Sequence, residues 1–161
     1  MTSWSVLGID PGKQGAVVAI LQPCGTIFAL ELNSRPADIW DWLQAINEQH
    51  PIRLALIEDV HSIFGTGAKS NFQFGFNVGS ITGILQVMRI PLQKIQPKEW
   101  QAAVGIPKNI EKAKRKKAHA EVAHNLYPKN IEMCYTPRGR LLDGVTDALL
   151  IAHVAQTKTR Q

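Results

Sequence analysis

The sequence predicts an α/β protein built on a mixed sheet. β-rich runs crowd the first third of the chain, an apolar period of three to four residues follows them, and a continuous apolar strand comes next. Ser5 to Asp10 and Gly15 to Leu21 flank the turn residues Pro11-Gly12-Lys13-Gln14, and Thr26 to Leu32 follows Gln22-Pro23-Cys24-Gly25. Such short runs between turn signals predict a three-stranded antiparallel meander. From Arg35-Pro36 to Gln49, Ile39, Trp40, Leu43 and Ile46 mark one face of a helix, which His50-Pro51 ends. Leu54 to Ile57 is apolar throughout, as in a strand buried on both faces, and after a helix it is expected parallel to the first strand. A polar loop with Gly and Phe from His61 to Phe76 then leads to a helix over Val78 to Met88, a strand over Pro91 to Ile95, and the turn Gln96-Pro97. Two helices, Ile110 to Leu126 and Leu142 to Thr157, complete the order βββ-α-β-α-β-α-α.

The 161 residues fit one domain over 1–161, large enough to bury a core without disulfides or a structural metal. Cys24 and Cys134 lack CxxC spacing and any Cys/His cluster, which excludes a zinc module and suits a reducing, intracellular compartment. No apolar run reaches the roughly 20 residues of a membrane span, and MTSWSVLGID has no signal-peptide pattern, so neither a membrane nor secretion is expected. The net charge is +5, from 18 Lys and Arg against 13 Asp and Glu, and residues 111–117 alone hold five bases and one acid. The excess is thus local, which points to a patch facing a polyanion.

Asp10 ends the first apolar strand and Glu58 ends the strand expected beside it, where functional groups collect in open α/β sheets. Asp143 and Asp147 are four residues apart, a rotation of about 400° that puts both on one helix face. Like charges so placed repel, and a divalent cation compensates them. Carboxylate clusters suit Mg²⁺, a hard ion that takes oxygen ligands and shares its shell with substrate phosphates. Two such ions roughly 4 Å apart stabilise the attacking and leaving oxygens of a phosphoryl displacement, so metal-assisted phosphodiester hydrolysis is the expected chemistry. Taken singly, each acid also has a plain reading: Asp10 as a turn residue, Glu58 as a strand end, Asp143 as an N-cap. Periodicity alone leaves Asp59 a rival of Glu58, since neighbours on a strand face opposite sides.

Gly8-Ile9-Asp10-Pro11-Gly12, Ala55-Leu56-Ile57-Glu58 and Asp143 to Ala152 resemble, in order and spacing, the signature of RuvC-type Holliday junction resolvases of the ribonuclease H-like superfamily. Phe74-Gly75 to Gly83, Gln96-Pro97-Lys98-Glu99-Trp100 and Lys116-Lys117 extend the resemblance, which is similar to the phage and organellar branch and spans nearly the whole chain. It implies a ribonuclease H-like fold with a five-stranded mixed sheet flanked by helices. It also implies Asp10, Glu58 and Asp147 as metal ligands with Asp143 as the fourth carboxylate, and it selects Glu58 over Asp59. Some relatives carry the companion acid three positions before the last aspartate, where this chain has Gly144. The implied enzyme is an Mg²⁺-dependent endodeoxyribonuclease with two ions per site, Mn²⁺ being a substitute, that resolves four-way junctions by paired symmetric nicks.

Lys112, Lys114, Arg115, Lys116 and Lys117 spread around most of a helix, so about three of them can face a DNA substrate. A solvated surface is the plain alternative. The resemblance implies a lysine near the scissile phosphate, which points to Lys116 or Lys117 as stabilising transition-state charge. Between Val60 and Phe76, Phe64, Phe72, Phe74 and Phe76 stand among Gly65, Gly67, Lys69, Ser70 and Asn71. Aromatics beside small and basic residues can stack on unpaired bases. The family's aromatic shortly after the catalytic Glu points to Phe64, with Lys69, Asn71 and Lys98 as further DNA contacts, while at least two of Phe72, Phe74 and Phe76 are expected to be core plugs.

Gly75, Gly79 and Gly83 recur every four residues, leaving a bare helix face for the sheet or for a second subunit. A junction needs two nicks and the chain has residues for one cluster, so a two-fold homodimer is expected. His61, His119, His124 and His153 have no mutual metal-ligand spacing, and surface or packing roles are expected for them; Trp100 is expected as a core anchor. Three other functions compete: a nuclease of the same fold acting on RNA or RNA/DNA hybrid, a sugar kinase-like or actin-like nucleotide-binding lobe, and a non-catalytic junction-binding module. The short length disfavours the lobe, and four retained carboxylates disfavour the module.

Overall fold

A computed structural model describes residues 3–59 and 67–160. The meander forms as β1 (Trp4–Asp10), β2 (Ala16–Gln22) and β3 (Ile27–Glu31), followed by α1 (Pro36–Gln49), β4 (Ile52–Glu58), α2 (Ala68–Val87) and β5 (Leu92–Ile95). The chain ends with α3 (Pro97–Ala103), α4 (Lys112–Leu126), a 3-10 turn over Ile131–Cys134, and α5 (Asp143–Thr159). The sheet order is β3-β2-β1-β4-β5. β2 pairs antiparallel with β1 and β3, while β4 pairs parallel with β1 and β5, giving the expected five-stranded mixed sheet.

Each central strand is buried on both faces, and its alternation sorts side chains between two cores. Leu7 and Ile9 of β1, Val17 and Ala19 of β2, and Ala55 and Ile57 of β4 pack with Leu43 of α1 and Ile81 and Leu85 of α2. Val6, Val18, Ile20, Leu54 and Leu56 face the opposite way, onto Leu149, Ile151 and Ala152 of α5 and the ring of Trp100. Gly8 lies on this second face without a side chain, because a Cβ there would fall on the carbonyl of Ala148 and the amide of Ala152. Small residues on α5 and Gly8 therefore set how closely that helix approaches the sheet.

Two elements depart from expectation. α2 begins at Ala68 rather than Val78, so Lys69, Asn71, Phe72, Phe74 and Phe76 lie on a helix and not in a loop. Phe72 is 76% exposed and Phe76 48%, so neither is a core plug. A Cβ built on Gly75, Gly79 or Gly83 meets nothing within 4 Å, so that stripe faces away from the sheet. The second is α3, which starts where a turn was expected. Pro97 occupies its first turn, and Gln96 and Glu99 close a reciprocal capping box, which satisfies amides that have no partner within the helix. Phe64 and His61 lie outside the described residues. Cys24 and Cys134 are both free, as expected.

Candidate active site

Strand parity decides where the acids point. Asp10 follows Val6 and Gly8 at two-residue steps, and Glu58 follows Leu54 and Leu56, so both aim at the α5 side of the sheet. β1 and β4 run parallel with Ile9 opposite Ile57, which brings the two acids to the same sheet end. Asp59, one step on, turns elsewhere: it accepts from Gln96 Nε2 at 2.9 Å and pairs with Lys94 at 3.3 Å. α5 begins at Asp143 and carries Asp147 one turn later. Its start is seated against the β1–β2 turn so tightly that a side chain at Gly144 would collide with the Gln14 carbonyl.

Asp10 and Glu58 are both shifted by their surroundings. Burial pushes Asp10 up from an ordinary carboxylate value to about 7, and the charges of Asp147, Glu58 and Asp143 add to that, against a 2.9 Å hydrogen bond donated by the Gly12 amide. Glu58 is also raised, first by burial and then by Asp147; the Trp100 hydrogen bond and His119 act in the opposite direction. Carboxylates crowded into a low dielectric in this way call for a positive charge.

The protein supplies part of it. Lys116 of α4 forms an ion pair with Asp143. His119, one turn further along α4, places Nδ1 2.7 Å from Asp147 Oδ1. Trp100 donates from Nε1 to Glu58 Oε1 at 2.8 Å. With the carboxylates turned to these partners, no three His, Cys, Asp or Glu side chains among the described residues converge on one cation position. Their chemistry nonetheless fits a hard divalent ion, because several carboxylate oxygens gathered at one sheet end are the donor set such an ion takes.

His119 is the residue that sequence reasoning missed. It is 6% exposed and bonded to Asp147, not at the surface, and it does more than pack. A lone histidine just past a basic run carries no signal of this. Trp100 is fully buried, as expected of a core anchor, but its indole N–H also grips Glu58.

Around the acids lie two grooves. One, of about 220 Å³, is lined by Lys112, Arg115, Lys116, His119, Asp143 and Asp147. The other, of about 170 Å³, includes Lys13, Glu31, Arg140 and again Asp143. Lys114 is instead paired with Glu111, and Lys117 leans toward Glu121, 3.9 Å away. Lys69 and Lys98 are exposed on α2 and α3, while Asn71 is half-buried on α2; none of the three lines either groove.

No protein-family model matches the sequence, and no curated protein matches it either. Solved structures do. The RuvC of T. thermophilus in complex with a Holliday junction substrate superposes with a TM-score of 0.63 at 15% identity, over 98% of this chain and 95% of that one. Thermus thermophilus RuvC by itself gives 0.56 at 17% identity, over 97% and 95%. The yeast mitochondrial Holliday junction resolvase Ydc2 gives 0.56 at 14% identity, over 92% of this chain and 76% of that one. The fold is therefore ribonuclease H-like, as the resemblance implied. More narrowly, it is the fold that the RuvC and Ydc2 resolvases share.

Proposed function

We propose that this chain, as a single nuclease domain over 1–161, is a metal-dependent endonuclease that resolves Holliday junctions. The observation that carries this reading is the gathering of Asp10, Glu58, Asp143 and Asp147 at one sheet end beside the α4 cations, in a fold whose similar structures include a resolvase on its junction. The acids would hold Mg²⁺, or Mn²⁺ in its place, two ions per site. A metal held there would supply Lewis-acid charge and lower the pKa of an attacking water.

The chain's own residues do the rest. Asp10 and Glu58 sit on adjacent strands and the two aspartates on one helix, so the site is assembled from rigid elements. Lys116 stands at the rim of the cluster, where its ammonium can leave Asp143 for a scissile phosphate and stabilise charge in the transition state. Lys112 and Arg115 line the same groove and would hold neighbouring phosphates, with Lys114, Lys117, Lys69, Asn71, Lys98 and Phe64 as outer DNA contacts.

Paired nicks need two clusters, and α2 offers a surface for a homodimer. Phe72, Phe76 and Val87 are exposed along the bare stripe of Gly75, Gly79 and Gly83. An exposed apolar face with a glycine stripe that admits close approach suits a two-fold partner. No helix among the described residues is long and apolar enough to cross a membrane, and the expected setting is a DNA-containing compartment inside the cell.

The test is Mg²⁺-dependent cleavage of a labelled synthetic four-way junction beside linear duplex and RNA/DNA hybrid, with Asp147→Asn as control. Symmetric paired nicks in the junction alone are expected. Cleavage confined to the hybrid would transfer the function to RNA while keeping the metal site.

A further inference from the structure

His119 has a geometry that packing does not explain. Its ring is buried, yet one nitrogen is spent on Asp147 and the other, Nε2, is buried with no hydrogen-bond partner among the described residues. An apolar side chain of similar size would fill the same space without burying an unpaired polar atom. A carboxylate offers only acceptors, so Nδ1 carries the proton and donates it to Asp147 Oδ1. In the neutral ring, Nε2 is then the bare lone pair.

The same ring meets the Trp100 ring edge-on, with centroids 5.2 Å apart and planes at 73°. Trp100 in turn donates to Glu58 Oε1. Two rings from α3 and α4 thus hold one oxygen of each of two acids, on β4 and α5, and lean on each other. Among the described residues no hydrogen bond engages the second oxygen of either acid.

We infer that His119 is a positioning residue: its Nδ1–H fixes the rotamer of Asp147, so that the carboxylate would be held ready for a cation, and its contact with Trp100 couples Asp147 to Glu58. The inference rests on the proposed metal-dependent nuclease. Carboxylates that ligate metals are commonly held by such outer hydrogen bonds, whose removal costs about 10- to 100-fold in metal affinity.

The discriminating variants are His119→Asn, which keeps a donor near the Nδ1 position, His119→Gln, whose donor falls near Nε2, and His119→Leu, which keeps volume alone. Mn²⁺ affinity of the full chain is read by calorimetry, and the Mg²⁺ concentration for half-maximal junction cleavage is read alongside it. The Leu and Gln variants are expected to weaken Mn²⁺ binding by about 10- to 100-fold and to raise the Mg²⁺ requirement in step, with Asn within about threefold of wild type. Equal Mn²⁺ affinities for the Asn and Gln variants, or a folded Leu variant that binds Mn²⁺ like wild type, overturn the inference. Should Leu prevent folding, the Asn and Gln comparison still decides. A wild-type chain that neither binds Mn²⁺ nor cuts junctions overturns the underlying function instead, so the two failures are separable.

Discussion

Lys116 and Asp143 join α4 to α5, and one turn further along both helices His119 and Asp147 join them again. The basic helix is thereby clamped along the acidic one by matched pairs, at a spacing of three residues on α4 and four on α5.

The first of these pairs should matter to the reaction and little to stability. The Lys116 side chain is 72% exposed, and ion pairs between such groups contribute about 0–1 kcal/mol. Lys116→Met should therefore move the melting temperature by no more than about 3 °C, while cleavage of the junction under single-turnover conditions falls by about 100-fold or more. The same change at Lys117, which leans toward Glu121, should cost less; an equal loss would refute the assignment of Lys116.

The raised pKa of Asp10 makes the metal-free protein more stable in mild acid. Below about pH 4 the carboxyl is neutral folded and unfolded. Between there and about 7 the folded state keeps a proton that the unfolded chain has lost, so stability falls as pH rises, by at most about 1.4 kcal/mol per unit, and levels off above 7. Glu58, also raised, adds in the same direction. Thermal melts in chelator should thus run higher at pH 5 than at pH 8. Asp10→Asn should flatten that difference and melt above wild type at pH 8; an unchanged profile would remove Asp10 from the buried cluster.

The approach of α5 to β1 leaves no room for a methyl group. Gly8→Ala must push α5 away from the sheet, and overpacking of this kind costs about 1–3 kcal/mol. Urea unfolding should report that loss, and because the shift also carries Asp143 and Asp147 away from Asp10, cleavage should fall further than the fraction unfolded accounts for.

Gly79→Arg isolates the proposed subunit interface. Open space surrounds that position within the protomer, so the fold should persist. Sedimentation should shift from dimer to monomer, and the variant should lose coordinated nicking of opposite strands while still nicking one. A dimer that survives this change would locate the interface elsewhere.

How legible each part was depended on whether its signal was local. The meander, α1 and the parallel β4 announce themselves through period and turns, whereas the parity that separates Glu58 from Asp59 needs the face shared by Val6, Gly8, Leu54 and Leu56, which only the folded sheet fixes. The start of α2 was hidden because its pattern is inverted. Phe72, Phe76 and Val87 lie outward while Asn77 is buried, donating to the Gly12 carbonyl at 3.3 Å, so no apolar face appears before Val78. The capping box of α3 was readable in Gln96-Pro97-Lys98-Glu99, whereas the grips of Trp100 on Glu58 and His119 on Asp147 span 42 and 28 residues and exist only after folding.

β1 lies between β2 and β4, and ten residues of α5 are buried, from Gly144 to Ala155. α4 buries only His119, Ala120 and Ala123, and its first turns are wholly exposed. Amide exchange should reflect this contrast, because core elements open only with the whole molecule while exposed turns open by themselves. Amides near Asp10 and Asp147 should exchange at the global limit and those of Lys112 to Lys117 much sooner, so that on gentle warming the proposed DNA-facing helix would loosen well before the proposed cation site.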